Sequence, residues 1–274
     1  MIRAVFIAWT ALTILWAAPA NGLVVQTVKL GMSSVDGEQE SYSTPVEIEI
    51  DPALAAYPVL YGQLADSTPV SHSLLEVLLE EPCLHLQENC ELSHADIRYS
   101  SHTRWMLVWS NDEVVSAFAT FAEYAHGEFP NHRFSSVLWD VAESRELTLA
   151  NLLSDARKNS RGLVALSEMI RAEILSQKAE LFPGFDANYD DSFWLDDLTA
   201  SLGSFPVFTL APSTESNRAG GIIVHFAPLD VGYLREGAYH ILVPQAVFAD
   251  YLDPQWANLF GGEPDINADA LAPQ

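Results

Sequence analysis

The stretch Arg104-Trp105-Met106-Leu107-Val108-Trp109-Ser110-Asn111-Asp112-Glu113-Val114-Val115-Ser116-Ala117-Phe118-Ala119-Thr120-Phe121-Ala122-Glu123-Tyr124 sets the fold class. Two runs rich in aromatic and β-branched residues flank Ser110-Asn111-Asp112. That tripeptide signals a turn, because short polar side chains bond to their own backbone there. The stretch therefore reads as two neighbouring strands, and Ile97-Arg98-Tyr99 leads into the first.

On the N-terminal side, Val46, Ile48 and Ile50 alternate with Glu47 and Glu49 after Pro45, the pattern of a half-buried strand. Leu23 to Leu30 can form an edge strand, and Pro52, Pro58 and Gly62 punctuate a loop. Ser71 or Ser73 can cap a helix that carries Leu74, Leu75, Val77, Leu78 and Leu79 up to Pro82.

On the C-terminal side, Phe134 to Val141 predicts a strand, and Leu147-Thr148-Leu149 leads into a short helix ending near Ser154. Leu163 to Leu181 carries Leu163, Leu166, Ile170, Ile174 and Leu175 near helical spacing. After a Pro/Gly/Asp-rich interruption (Phe182 to Asp197), Pro206–Leu210 and Gly221–Phe226 predict a hairpin across Ser213-Thr214-Glu215-Ser216-Asn217. His240 to Val243 is a last strand, Val247 to Tyr251 a helical turn, and the segment from Asp253 a loose polar tail. Helices amid strands without regular βαβ alternation give an α+β class: an antiparallel sheet, a few packed helices, and one long helix in the C-terminal half.

The first twenty residues read as a cleavable signal peptide. Met1-Ile2-Arg3 is basic, Ala4 to Ala17 is apolar and uncharged, and Ala18-Pro19-Ala20 is a small-x-small cleavage site before Asn21. The apolar run is shorter than the roughly 20 residues a membrane-spanning helix needs. No cysteine sits at the cut for a lipid anchor. These features predict a periplasmic or secreted protein without stable membrane insertion after cleavage. The expected organisation is a signal peptide at 1–20, an exported segment at 21–44, one α+β half at 45–134, a second at 135–252 and the tail at 253–274.

Removing the leader takes away one basic residue and no acidic one, leaving 12 basic against 37 acidic residues, a net of −25. That field repels nucleic acid and attracts cationic proteins, peptides and metal ions; it also serves plain solubility. Cys83 and Cys90, the only cysteines, lie close enough to form a disulfide in an oxidising compartment. Such a bridge would clip the six residues between them and stabilise by about 2–3 kcal/mol. A redox-active role is disfavoured because C-x-x-C spacing is absent.

Three further blocks occur in a familiar order. They are Ala56-Tyr57-Pro58-Val59-Leu60-Tyr61-Gly62; Ser135-Ser136-Val137-Leu138-Trp139-Asp140-Val141 running into Arg145-Glu146-Leu147-Thr148-Leu149-Ala150-Asn151-Leu152-Leu153; and Gly221-Ile222-Ile223-Val224-His225-Phe226-Ala227-Pro228-Leu229, continuing through Gly237 to Ile241-Leu242-Val243-Pro244. Over roughly Pro45 to Leu252 the chain resembles the RsiV-type extracytoplasmic domain family. That region is shared by the sigma-V anti-sigma factor and the non-catalytic N-terminal part of a peptidoglycan deacetylase. The resemblance implies an α+β module for binding or sensing, and the anti-sigma member recognises lysozyme, a strongly basic enzyme. The family's Gly-Gly-Ala-His segment stands here as Glu123-Tyr124-Ala125-His126, and no counterpart of the deacetylase motif follows. The resemblance therefore transfers neither the enzyme activity nor the membrane signalling output.

No G-x-S-x-G elbow, P-loop or G-x-G-x-x-G is present. His126, Glu128 and His132 supply two imidazoles and a carboxylate, a donor set suited to zinc, although the spacing is not that of helical H-E-x-x-H. Asp186, Asn188, Asp190, Ser192 and Asp197 echo the alternate oxygen donors of a calcium loop. Asp191 stands where its tight turn wants glycine, and Asp197 replaces its bidentate glutamate. Trp105 and Trp109 share strand parity and could stack on a sugar ring if their face is open. Two functions follow. The leading one is a non-catalytic envelope module for a cationic protein such as lysozyme or for a cell-wall fragment, with no cofactor. The alternative is a metal-dependent envelope hydrolase built on His126, Glu128 and His132.

Overall fold

The computed structural model describes residues 23–33, 39–66, 99–125, 130–182, 184, 186, 188 and 193–266. The predicted signal peptide, the predicted helix at 71–82 and the Cys83–Cys90 pair lie outside the described residues. The fold is α+β, with two mostly antiparallel sheets. Strands β1 (Leu23–Ser33), β2 (Gln39–Ile50), β3 (Tyr99–Ser110), β4 (Val114–Ala125), β5 (Asn131–Asp140) and β6 (Arg145–Leu147) make one sheet in chain order. Strands β7 (Phe208–Pro212), β8 (Ala219–Phe226) and β9 (Tyr239–Pro244) make the other. The helices are α1 (Pro58–Asp66), α2 (Leu149–Leu152) and α3 (Arg161–Leu181).

The chain divides into two compact units, one of residues 1–105 with 121–132 and the other of 106–120 with 133–274. This is not a single cut at 134, because β3 and β4 each contribute to both units. In the first unit, β1 pairs antiparallel with β2 as the edge strand, and β2 pairs parallel with β3, Val46 opposite Ser101 and Ile50 opposite Trp105. A parallel neighbour needs a long connection, and the segment between Ile50 and Tyr99 supplies one. The alternation in β2 places Ile48 and Ile50 in the core while Glu47 stays exposed. Asp51 caps the turn that follows, its carboxylate accepting from the Ala53 amide at 2.9 Å.

In the second unit, Asn111 fixes the turn between β3 and β4. Its side-chain oxygen accepts from the amides of Glu113 and Val114 at 2.9 and 2.8 Å. Strand β8 is buried along its whole length, as expected of a central strand covered on both faces. Helix α3 is capped by Ser160 and buries Leu163, Leu166, Ile170 and Ile174, packing on β9. Two serines of the first sheet serve the edge of the second. The Phe208 amide donates to Ser136 Oγ and the Leu210 amide to Ser116 Oγ, both at 3.0 Å. Those β7 donors would otherwise be orphaned.

Residues 253–266 correct the expectation of a loose tail there, and 267–274 lie outside the described residues. Trp256, Leu259 and Phe260 are buried, and the Phe260 ring meets Phe248 edge-on. The Gly261 amide donates to the Ala219 carbonyl, the Thr214 amide to Glu263 and the Asp265 amide to Pro212. Gly220 lets this return run close, since a β-carbon there would collide with the backbone of Glu263 and Pro264. The polar residues of the segment face outward, and three large apolar ones anchor it.

Candidate functional site

Strands β5 and β6 meet through the turn after Asp140, whose carboxylate accepts from the Glu143 amide at 3.0 Å. Ser144 takes a left-handed φ of 49° there, and the reversal sets Glu146 opposite Trp139 and Leu147 opposite Leu138. The chain then enters α2, where Asn151 Oδ1 accepts from both the amide and the hydroxyl of Thr148 at 2.8 and 2.9 Å. Together with residues 202–208, this corner lines an open groove of about 350 Å³. Leu138, Leu147, Leu149, Phe205 and Phe208 give it apolar walls, and Ser136, Glu146 and Thr148 are among the residues that border it.

The polar atoms are mostly acceptors. Glu146 is exposed, and no lysine or arginine among the described residues pairs with it. The Thr148 proton is committed to Asn151, so its oxygen can only accept from anything entering the groove. Ser136 uses one lone pair on the Phe208 amide and keeps its own proton.

The same unit holds two buried polar pairs. Lys178 Nζ lies 3.0 Å from Glu236 Oε2, both side chains nearly sealed from solvent. Burial acts to raise the Glu236 carboxyl. The Tyr239 hydroxyl, the Tyr233 amide and Lys178 outweigh it and hold the group below the ordinary glutamate value. Lys178 also lies over the rings of Trp194 and Tyr239. Elsewhere, His225 Nδ1 and His240 Nδ1 stand 2.8 Å apart, with Thr209 Oγ1 2.9 Å from His225 Nε2. Burial, then the neighbouring His240, pushes His225 down to about 3; burial lowers His240 as well.

The residues singled out from sequence scatter differently. Trp105 is buried against Phe121, with ring centroids 6.5 Å apart, so it offers no open face for a sugar. Trp109 packs partly buried against the core of the second unit. His132 is exposed on β5, while His126 and Glu128 lie outside the described residues. Asp186 accepts from the Asn188 amide in a local turn. The carbonyl of Asp197 accepts from the Thr199 amide and the Ser204 hydroxyl. Asp190 and Ser192 lie outside the described residues. Among the described residues, no three histidine, cysteine or acidic side chains converge on a metal-sized point.

Glu146 and Lys178 were the missed residues. A lysine four positions after Ile174, on the stripe of Leu163, Leu166, Ile170 and Ile174, was a signal in the sequence. Glu146 gave none, because its setting depends on residues 202–208.

An α+β fold with this arrangement has counterparts among solved structures. One is a DUF3298 family protein from Pseudomonas aeruginosa PAO1, 12% identical, covering 88% of this chain and 98% of that one with a TM-score of 0.49. Another is a DUF3298 family member from Bacteroides fragilis NCTC 9343, 13% identical, covering 86% and 96% with a TM-score of 0.50. The likeness is one of fold, to a domain of unknown function. No family model and no curated protein sequence matches the chain.

Proposed function

We propose that this chain is an exported, non-catalytic module of the cell envelope that binds a strongly basic protein, lysozyme being the candidate its resemblance suggests. The observation that carries the reading is the charge, 37 acidic against 13 basic residues over the full sequence. Several of the cations are already matched: Arg104 with Glu49, Arg145 with Asp140, Arg157 with Asp155, Lys178 with Glu236 and Arg218 with Glu215. The surplus acids are left to attract positive partners and speed their encounter. The signal-like N-terminus and the resemblance to the RsiV-type region support the same reading. Among the described residues, no helix is long and apolar enough to cross a membrane.

A pull-down of the purified protein against lysozyme, at low and near-physiological salt, tests this reading. Binding that weakens with salt yet survives at the higher value, and that an equally acidic control lacks, is the expected outcome. Retention no better than the control would refute it.

A further inference from the structure

We infer that the surface formed by the end of α3, residues 193–194 and the β8–β9 connection is where a basic protein docks, seating an apolar side chain of its own among Leu181, Phe193, Tyr233 and Leu234. This deepens the proposed function by giving the basic partner a contact surface, and it rests on that reading for the partner's charge.

The exposed apolar side chains are not scattered. Among the described residues of the second unit, the large hydrophobic side chains left exposed are Leu181, Phe193, Leu229, Tyr233 and Leu234. Ring contacts run through this set: Phe193 meets Trp194 edge-on at 5.3 Å between centroids, and Trp194 meets Tyr233 at 4.9 Å. Lys178 lies over the Trp194 ring, and Leu181 is one turn further along the same face of α3. Phe193 is 61% exposed and Leu181 59%, so the cluster faces solvent. Monomeric surfaces seldom gather apolar side chains in this way, and aromatic residues are those that interface cores favour.

The cluster is held in place by buried charge. Glu236 binds Lys178, the Tyr239 hydroxyl and the Tyr233 amide, which fixes the connection that presents Tyr233 and Leu234. Leu229, in the same connection, keeps a left-handed φ of 80°, a conformation costly for leucine. A surface organised before binding loses little freedom when a partner arrives.

Charge selects the occupant. Glu180, Asp196 and Asp197 are exposed and adjoin Leu181 and Phe193–Trp194 in the chain. The basic residues there are spoken for, Lys178 by Glu236 and Arg235 by the Tyr233 ring. A second copy would set the same acidic rim against this one, and an anionic lipid surface would be repelled likewise. A basic protein complements the rim while its apolar side chain covers the cluster.

The test titrates two peptides of equal length and charge into the purified protein by calorimetry, one alternating leucine with lysine and the other serine with lysine. The expected result is tighter binding of the leucine peptide, with affinity for it reduced about tenfold in Phe193→Ser/Leu234→Ser, the size of one strong interface side chain. That variant should melt as the unmodified protein does, since both side chains are exposed. Leu181→Lys, at the helix end, repeats the test by setting a like charge against the partner. Val59→Ser, at an exposed apolar residue of the first unit, should change nothing. Equal binding of the two peptides, or a leucine preference that survives both patch variants, would overturn the inference. The two claims fail separately. A leucine preference lost in the patch variants, without lysozyme retention, refutes only the lysozyme reading. Lysozyme retention unaffected by the patch variants refutes only the docking surface.

Discussion

Lys178 with Glu236, and His225 with His240, are two buried polar pairs in one compact unit that resolve burial in opposite ways. Glu236 is held ionised by three donors: the Tyr239 hydroxyl at 2.7 Å, the Tyr233 amide at 3.1 Å and Lys178 at 3.0 Å. Gly232 permits that crowding, since a β-carbon there would run into the Glu236 carboxylate. His225 has one hydroxyl and one neutral ring as partners, and it packs on the Phe118 ring at 4.2 Å between centroids. Lys178 and His225 are each nearly sealed from solvent, while His240 is half-buried. Charge survives burial where donors and an opposite charge converge on it, and gives way where aromatic rings surround the group.

The largest expected effect comes from breaking the charged pair. Lys178→Met leaves Glu236 buried and unpaired and should cost about 3 kcal/mol, a fall of about 6–12 °C in melting temperature. The double variant Lys178→Met/Glu236→Gln should recover most of that loss. A double variant no more stable than the single one would show that packing, not the stranded charge, sets the penalty.

The histidine pair predicts a pH dependence of intermediate size. The folded value of His225 lies near 3, far below the ~6.5 of an unfolded histidine. Above pH ~6.5 neither state takes the proton, and the pair has no linked effect. As the pH falls through that value the unfolded chain gains a proton that the folded chain refuses, so stability declines until about pH 3, by at most ~1.4 kcal/mol per pH unit. His240, also lowered, adds in the same direction. Denaturant unfolding between pH 7 and 5 should show this slope, and His225→Gln should flatten it; an unchanged slope would remove His225 from the account.

The smallest effect belongs to Asp155 and Arg157, a surface pair at 2.8 Å. The hydrogen bonds from Arg157 hold the Asp155 carboxyl at about 2, but the pair lies at the surface, with the Arg157 side chain almost wholly exposed. Asp155→Asn should leave the melting temperature almost unchanged. A shift comparable to that of Lys178→Met would mean that burial is not what separates these pairs.

These pairs also mark how far the sequence could be read. The β3–β4 stretch, the alternation in β2 and the apolar stripe of α3 depend on local periodicity, and the structure follows them. The residues after Asp253 look like a tail because Pro254, Gly261, Gly262 and Pro264 dominate the local pattern. Their anchoring depends on Ala219, Pro212 and Thr214, some forty to fifty residues earlier in the chain. His225 and His240, far apart in the sequence, are opposed only by the β8–β9 register. Periodicity records which face a residue takes, not which distant residue it will meet there.

If the chain holds a strongly basic partner through its charge, as proposed, it should bind lysozyme in a salt-dependent way that an equally acidic control does not share. Calorimetric titration of lysozyme into the purified protein and into an equally acidic control, at two ionic strengths, puts that proposal to the test. Measurable binding at both strengths, weaker at the higher one and beyond that of the control, is the expected result. Binding that vanishes at the higher strength, or that the control matches, would contradict it.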